Sequence, residues 1–117
     1  MKRIILVEDD AAIADVVRLI LSRAGYSVTI YENSTDLLTG NYEIPHLFML
    51  DKQIPGVDGL ELCRRLKNEP RVAAVPVIML SASPQILVLA AAAGADAALE
   101  KPFSAADLRQ LTSRFLG

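Results

Sequence analysis

"LFMLDKQIPGVDG", Leu47–Gly59, decides the fold. Four apolar residues of the kind that form a strand buried on both faces run straight into a carboxylate, Asp51. Pro55 and Gly56 then turn the chain, and Asp58 with Glu61 three residues on has the spacing of a helix N-terminus. The stretch therefore reads as one strand-to-helix unit with an acid at the strand tip.

The same unit recurs on either side. Short runs rich in Ile, Val and Leu at Arg3 to Val7, Ser27 to Tyr31, His46 to Leu50, Pro76 to Leu80 and Ala97 to Leu99 read as five strands. Between the first two, Ile13, Val16, Val17, Ile20 and Leu21 recur at helical spacing, with Asp15, Arg18 and Ser22 on the other face and Gly25 as a stop. Further helix starts are expected at Asp58, at Ser83 followed by Pro84, and at Ser104 with Asp107 three residues on. Between the second and third strands, "STDLL" offers only a short helix. Five alternations of strand and helix imply an α/β fold with a parallel sheet covered on both faces, because crossovers through helices join parallel strands. In such open sheets ligands bind outside the carboxyl ends of the strands.

Composition sets the bounds. A chain of 117 residues suits one domain with a core of its own. Its formal charge is −2, and Lys and Arg are scattered rather than massed, which argues against direct nucleic-acid binding. The lone cysteine, Cys63, beside Leu62 and Leu66, reads as a small buried hydrophobe, and His46 as structural. "MKRIILVEDD" has too short an apolar run for a signal peptide, and Ile86 to Ala93 is far too short to cross a bilayer. A cytoplasmic address with no membrane contact is expected.

Inspection of the strand ends gives a constellation. Glu8, Asp9 and Asp10 follow the first strand, Asp51 ends the third, Ser81 the fourth, and Glu100, Lys101 and Pro102 the fifth. Asp10, directly before "AAIADVV", reads as a helix cap. Carboxylates a few ångströms apart repel by roughly 1 kcal/mol per pair even at water-like dielectric, so cations belong there. Lys101 supplies one. An oxygen-only cluster open to water also suits Mg²⁺, whereas the lack of His and Cys nearby argues against zinc. A carboxylate beside such a cation is a plausible nucleophile toward phosphorus.

"ILVEDD", "LDKQIPGVDG", "PVIMLSA" and "GADAALEKPF", in that order and spacing, resemble the receiver domains of bacterial two-component response regulators. The match covers essentially the whole chain, so residues 1–117 are expected to form a single receiver domain. The resemblance implies the flavodoxin-like doubly wound (βα)5 sheet with strand order 2-1-3-4-5. It implies that Asp51 accepts a phosphoryl group from a histidine kinase or a phosphotransfer protein. Glu8 and Asp9 match the acidic pair that binds Mg²⁺ with Asp51, and Gln53 would add its backbone carbonyl. Ser81 matches the hydroxyl that moves to meet the phosphoryl group, and Lys101 the lysine that pairs with it, in a usually cis peptide bond to Pro102.

The chain also departs from the pattern. Three residues before Lys101, where the family commonly carries an aromatic ring, stands Ala98. The segment from Ser81 to Gly94 is shorter than in typical members, and "ILVLAAAAGA" within it lacks the polar face of a surface helix. Lys52 and Gln53 flank the acceptor.

The leading expectation is a Mg²⁺-dependent, stand-alone signalling receiver that catalyses its own phosphorylation and dephosphorylation without turning over a separate substrate. It would switch conformation to signal to a downstream effector protein, with a homodimer through the fourth helix region as a further partner state. The alternative is a phosphorylation-independent interaction module on the same fold, acting through the apolar fourth helix. A metal-dependent phosphatase similar to the haloacid dehalogenases is disfavoured, because Gln53 stands where those enzymes carry the second acid of "DxD".

Overall fold

The structure is a computed structural model that describes all 117 residues. Five strands, β1 (Arg3–Val7), β2 (Ser27–Tyr31), β3 (Leu47–Asp51), β4 (Val77–Ser81) and β5 (Ala97–Glu100), alternate with five helices, α1 (Ala11–Arg23), α2 (Thr35–Leu38), α3 (Gly59–Lys67), α4 (Ile86–Ala92) and α5 (Ala105–Leu116). The sheet is parallel throughout, in the order β2-β1-β3-β4-β5. This is the expected flavodoxin-like topology, with β1 and β3 adjacent at the point where the strand order reverses.

Successive side chains of a strand point to opposite faces, and here each face carries its own core. Ile5, Val7, Phe48, Leu50, Val77 and Met79 pack with Leu37 of α2, Leu62, Cys63 and Leu66 of α3, and Ile86 and Ala90 of α4. Ile4, Leu6, Leu47, Met49, Ile78 and Leu80 pack on the other side with Ala14, Val17 and Leu21 of α1 and Leu108, Leu111 and Leu116 of α5. Every residue of β3 and β4 is buried, which is why these strands read as unbroken apolar runs.

The caps follow the sequence closely. Asp10 Oδ1 accepts hydrogen bonds from the Ala12 and Ile13 amides, Asp58 from Glu61, and Ser104 from Asp107. His46 lies just outside β3 and is structural: its amide donates to the Arg3 carbonyl, and its Nδ1 accepts from the Arg3 amide at 2.9 Å. Cys63 is fully buried, its sulfur 3.6 Å from the Ala93 carbonyl, and burial pushes its thiol up to about 11.

One helix start differs from expectation. Ser83 does not cap a helix beginning at Pro84. Its hydroxyl donates to the Gln85 side chain and accepts from the Gln85 amide, its carbonyl accepts from Ile86, and α4 starts only at Ile86. A single turn closed on itself thus replaces the first helical residues. Ser34 sits at the N-cap of α2 without capping it. Its buried hydroxyl instead accepts a hydrogen bond from the Val57 amide at 3.0 Å, spending itself on the loop that follows β3.

Gly59 opens α3 directly against the end of β3. Its amide donates to the Lys52 carbonyl, and a Cβ there would overlap the Asp51 carbonyl oxygen and come within 2.9 Å of the Lys52 Cα. Backbone cannot yield as a flexible side chain can. Replacing an ordinary helical glycine by alanine stabilises by about 0.5–1 kcal/mol. For Gly59→Ala the opposite sign is expected, a loss of about 2 kcal/mol in urea denaturation from overpacking; unchanged or higher stability would contradict this packing.

Candidate functional site

The parallel register builds the site. Val7 stands beside Leu50, so one residue further on Glu8 and Asp51 leave the sheet next to each other. Asp51 pairs with Leu80 and Ser81 with Glu100, which brings Lys52 level with Ser81 and places Lys101 just beyond. Backbone hydrogen bonds hold these ends in place: the Lys52 amide donates to the Leu80 carbonyl at 2.9 Å, and the Lys101 amide to the Ser81 carbonyl at 2.8 Å. The Lys101–Pro102 peptide bond is cis.

Two carboxylates meet at one ammonium. Lys101 Nζ donates to Glu8 Oε1 at 2.8 Å and to Asp51 Oδ1 at 2.9 Å. Glu8 and Asp51 are both buried, at 2% and 7% exposure, while Asp9 is exposed. Carboxylate oxygens from Glu8, Asp9 and Asp51 all lie within 4.8 Å of one another. With one lysine among three acids, the cluster carries a net excess of two negative charges.

The titration shifts record this imbalance. Burial raises the Glu8 pKa, assisted by the charge of Asp51, and the hydrogen bond from Lys101 opposes it without cancelling it. Burial by itself would depress the Lys101 ammonium, but its hydrogen bonds to Asp51 and Glu8 outweigh that and raise its pKa. Because Glu8 titrates higher in the fold than its ordinary 4.5, its contribution to stability is complete below that pH and is lost as pH rises through the folded value. At neutral pH the fold therefore carries a cost for ionised Glu8, and a second cation would relieve it.

The donors suit a hard divalent cation. They are all oxygens, they are close enough to share one ion, and exposed Asp9 leaves a side open to water. Glu8, Asp9 and Asp51 are the residues that could hold it. Gln53, the fourth expected metal residue, is exposed and lines the adjoining cleft.

That cleft, about 240 Å³, is bounded by Asp51, Lys52, Gln53, Ser81, Ala82, Ser83 and Lys101. Ser81 Oγ lies at its wall and accepts a hydrogen bond from the Ser83 amide at 3.0 Å. A second, apolar groove of about 530 Å³ between α1 and the β5–α5 loop shares Ala82 and Lys101 with the cleft, and Ile13, Val16 and Phe103 help line it. Every residue expected to form the site thus lies at one end of the sheet. Two residues that position it were not anticipated from sequence: Gly59, whose missing side chain lets α3 start on the Asp51 backbone, and Ser34, which pins the β3–α3 loop. A glycine at a first helical position, where other residues form helix better, was the available signal for the first.

A parallel sheet in the order 2-1-3-4-5 thus carries an acidic cluster and a lysine at its carboxyl edge, the edge at which open α/β sheets bind ligands. The family model described as "Response regulator receiver domain" matches residues 4–113, and the chain belongs to that family. It is 39% identical over 120 residues to the DNA-binding dual master transcriptional regulator RpaA of Synechocystis sp., covering 97% of this chain and 47% of that protein. It is 40% identical over 108 residues to the transcriptional regulatory protein CseB of Streptomyces coelicolor, covering 90% and 45%. The chain spans about half the length of the curated relatives it matches. Among solved structures it is similar to the signal receiver domain of a signal transduction histidine kinase from Syntrophus aciditrophicus, with a TM-score of 0.90 and 30% identity over 99% of this chain and 90% of that one. The receiver domain of sensor histidine kinase PA1611 from Pseudomonas aeruginosa, with a magnesium ion coordinated in its active site cleft, aligns with a TM-score of 0.88 and 26% identity over 99% and 98%. No helix of the chain is long and apolar enough to cross a membrane.

Relief of charge gives a direct check. Asp9 makes no ion pair in the fold. Asp9→Asn is therefore expected to raise stability by about 1 kcal/mol in the presence of a chelator. Added Mg²⁺ should stabilise the wild type and leave the variant nearly unmoved. Denaturant titrations with and without the metal read both effects; a destabilised variant, or equal stabilisation by Mg²⁺, would show that these carboxylates do not share a cation.

Proposed function

We propose that the 117 residues work as one receiver unit in which Asp51 accepts a phosphoryl group in a Mg²⁺-dependent reaction. The observation that carries this reading is the single lysine bridging Glu8 and Asp51 inside a cluster of three carboxylates at the mouth of an open cleft. A structural ion pair would need only one acid per lysine, whereas surplus acids at a cleft suit a site completed by a cation.

In this reading Glu8, Asp9 and Asp51 would hold Mg²⁺ together with the backbone carbonyl of Gln53, and the bound ion would supply neutralisation of charge on the incoming phosphoryl group. Asp51 Oδ attacks phosphorus from the tip of a rigid, fully buried strand. The product brings nearly two negative charges and three acceptor oxygens. Lys101, already within hydrogen-bond reach of Asp51, and Ser81 meet them. Ser81 Oγ accepts a hydrogen bond from the Ser83 amide and keeps its own proton to donate, so a turn of its side chain toward the phosphoryl group would act on Ser83, which is tied in turn to Gln85 at the start of α4. With Ala98 in place of an aromatic ring, this short turn is the available route from the phosphoryl group to α4. The proposed donor is a phosphohistidine on a kinase or phosphotransfer protein, its backbone seated in the apolar groove beside Lys101. An effector protein, or a second copy of the chain, would read the state of α4, where Leu87 and Val88 are 67% and 72% exposed. The domain would act in the cytoplasm.

Incubation with acetyl phosphate and Mg²⁺, followed by intact-mass measurement, tests the reading. One phosphoryl adduct is expected on the wild type, none on Asp51→Ala, and none when the metal is chelated. An adduct that survives in Asp51→Ala, or a wild type that never gains one, would overturn it.

A further inference from the structure

One cation at the cleft is left unused by the site as described. Lys52, next in the chain to Asp51, lines the cleft and is half-buried. Its backbone is fixed on both sides, the amide by the Leu80 carbonyl and the carbonyl by the Gly59 amide, each at 2.9 Å. That clamp keeps its side chain rooted at the cleft wall, yet Lys52 belongs to none of the ion pairs of the fold. Lys101, by contrast, is spent on Glu8 and Asp51 before any ligand arrives.

The charge count gives Lys52 a task. Glu8, Asp9, Asp51 and Lys101 together are short by two positive charges, and one divalent cation brings the cluster only to neutrality. An anionic phosphoryl donor then meets a site with no net attraction for it. Lys52 is the remaining cation on the cleft wall. Charges at a cleft mouth with low-dielectric walls raise the local concentration of oppositely charged ligands.

We propose that Lys52 is a specificity-determining residue for the proposed phosphoryl transfer: its ammonium draws anionic donors into the cleft and favours them in proportion to their charge. The inference rests on the reading of Asp51 as acceptor. In the step concerned, an Asp51 oxygen forms a bond to phosphorus. With acetyl phosphate the P–O bond to the acetyl group breaks and acetate leaves with the electron pair. With phosphoramidate the P–N bond breaks and ammonia leaves, its nitrogen already protonated. No further proton or co-reactant is needed. Acetyl phosphate is a dianion near neutral pH, whereas zwitterionic phosphoramidate carries one net negative charge.

The test is to measure Mg²⁺-dependent phosphorylation rates of the wild type, Lys52→Gln and Lys52→Arg with both donors at low and high salt. Lys52→Gln is expected to slow acetyl phosphate about fivefold at low salt and phosphoramidate about half as much. Both deficits should shrink as salt screens the field. Lys52→Arg should restore the wild-type rates. Equal losses with the two donors, or losses insensitive to salt, would show a merely structural role and overturn the proposal, as would no loss at all. A wild type labelled by neither donor would instead sink the reading of Asp51 itself.

Discussion

The bridge from Lys101 to Glu8 and Asp51 is the interaction on which the rest of the site depends. Two nearly buried carboxylates placed side by side would repel strongly and would pull in water or protons to escape. A single ammonium, delivered by the turn after the last strand, holds both in place. The parallel register makes this possible, because from β1 to β3 to β4 each strand ends one residue beyond its neighbour and β5 carries Lys101 past the edge. Removing one partner of such a buried pair costs far more than the pair contributes. The balance is still incomplete, since Asp9 adds a third acid without a counterion, and this deficit is what makes the site receptive to a cation.

Around this bridge the loops are fixed by groups with no chemistry of their own. Gly59 lets α3 begin on the backbone of Asp51 and Lys52, so β3 and the following helix are packed directly together. Ser34 reaches across from α2 to hold Val57, closing the far side of the β3–α3 loop. The turn Ser83–Gln85 is held only by its own local bonds and by Ser81. The Asp51 side is thus tied by contacts between distant segments, whereas the turn on the Ser81 side is tied by local ones. That asymmetry fits a domain in which a local electrostatic event biases a two-state element.

Much of this was legible in the amino-acid sequence, for identifiable reasons. Strands buried on both faces are nearly continuous in apolar residues, so β1, β3 and β4 stood out, and the acids at their tips followed. Asp10, Asp58 and Ser104 announce helices because capping is local chemistry between residues two and three apart. Ser83 misled by the same logic: a serine before a proline resembles a helix start, but here its hydroxyl closes a turn with Gln85 and α4 begins at Ile86. The roles of Ser34 and Gly59 depend on contacts with segments that only the folded chain brings near, Val57 for one and the end of β3 for the other. Long-range contacts of that kind leave no local periodicity to read.

The central claim is that the Lys101 bridge is a resting state which a phosphoryl group on Asp51 rearranges. A crystal structure of the chain with Mg²⁺ and beryllium trifluoride, a tetrahedral stand-in for that group, tests it most directly. The account expects beryllium on an Asp51 carboxylate oxygen, fluorines within hydrogen-bond reach of Lys101 Nζ and Ser81 Oγ, and the metal among Glu8, Asp9 and Asp51. An adduct on another carboxylate, or one on Asp51 that Lys101 and Ser81 both ignore, would contradict it.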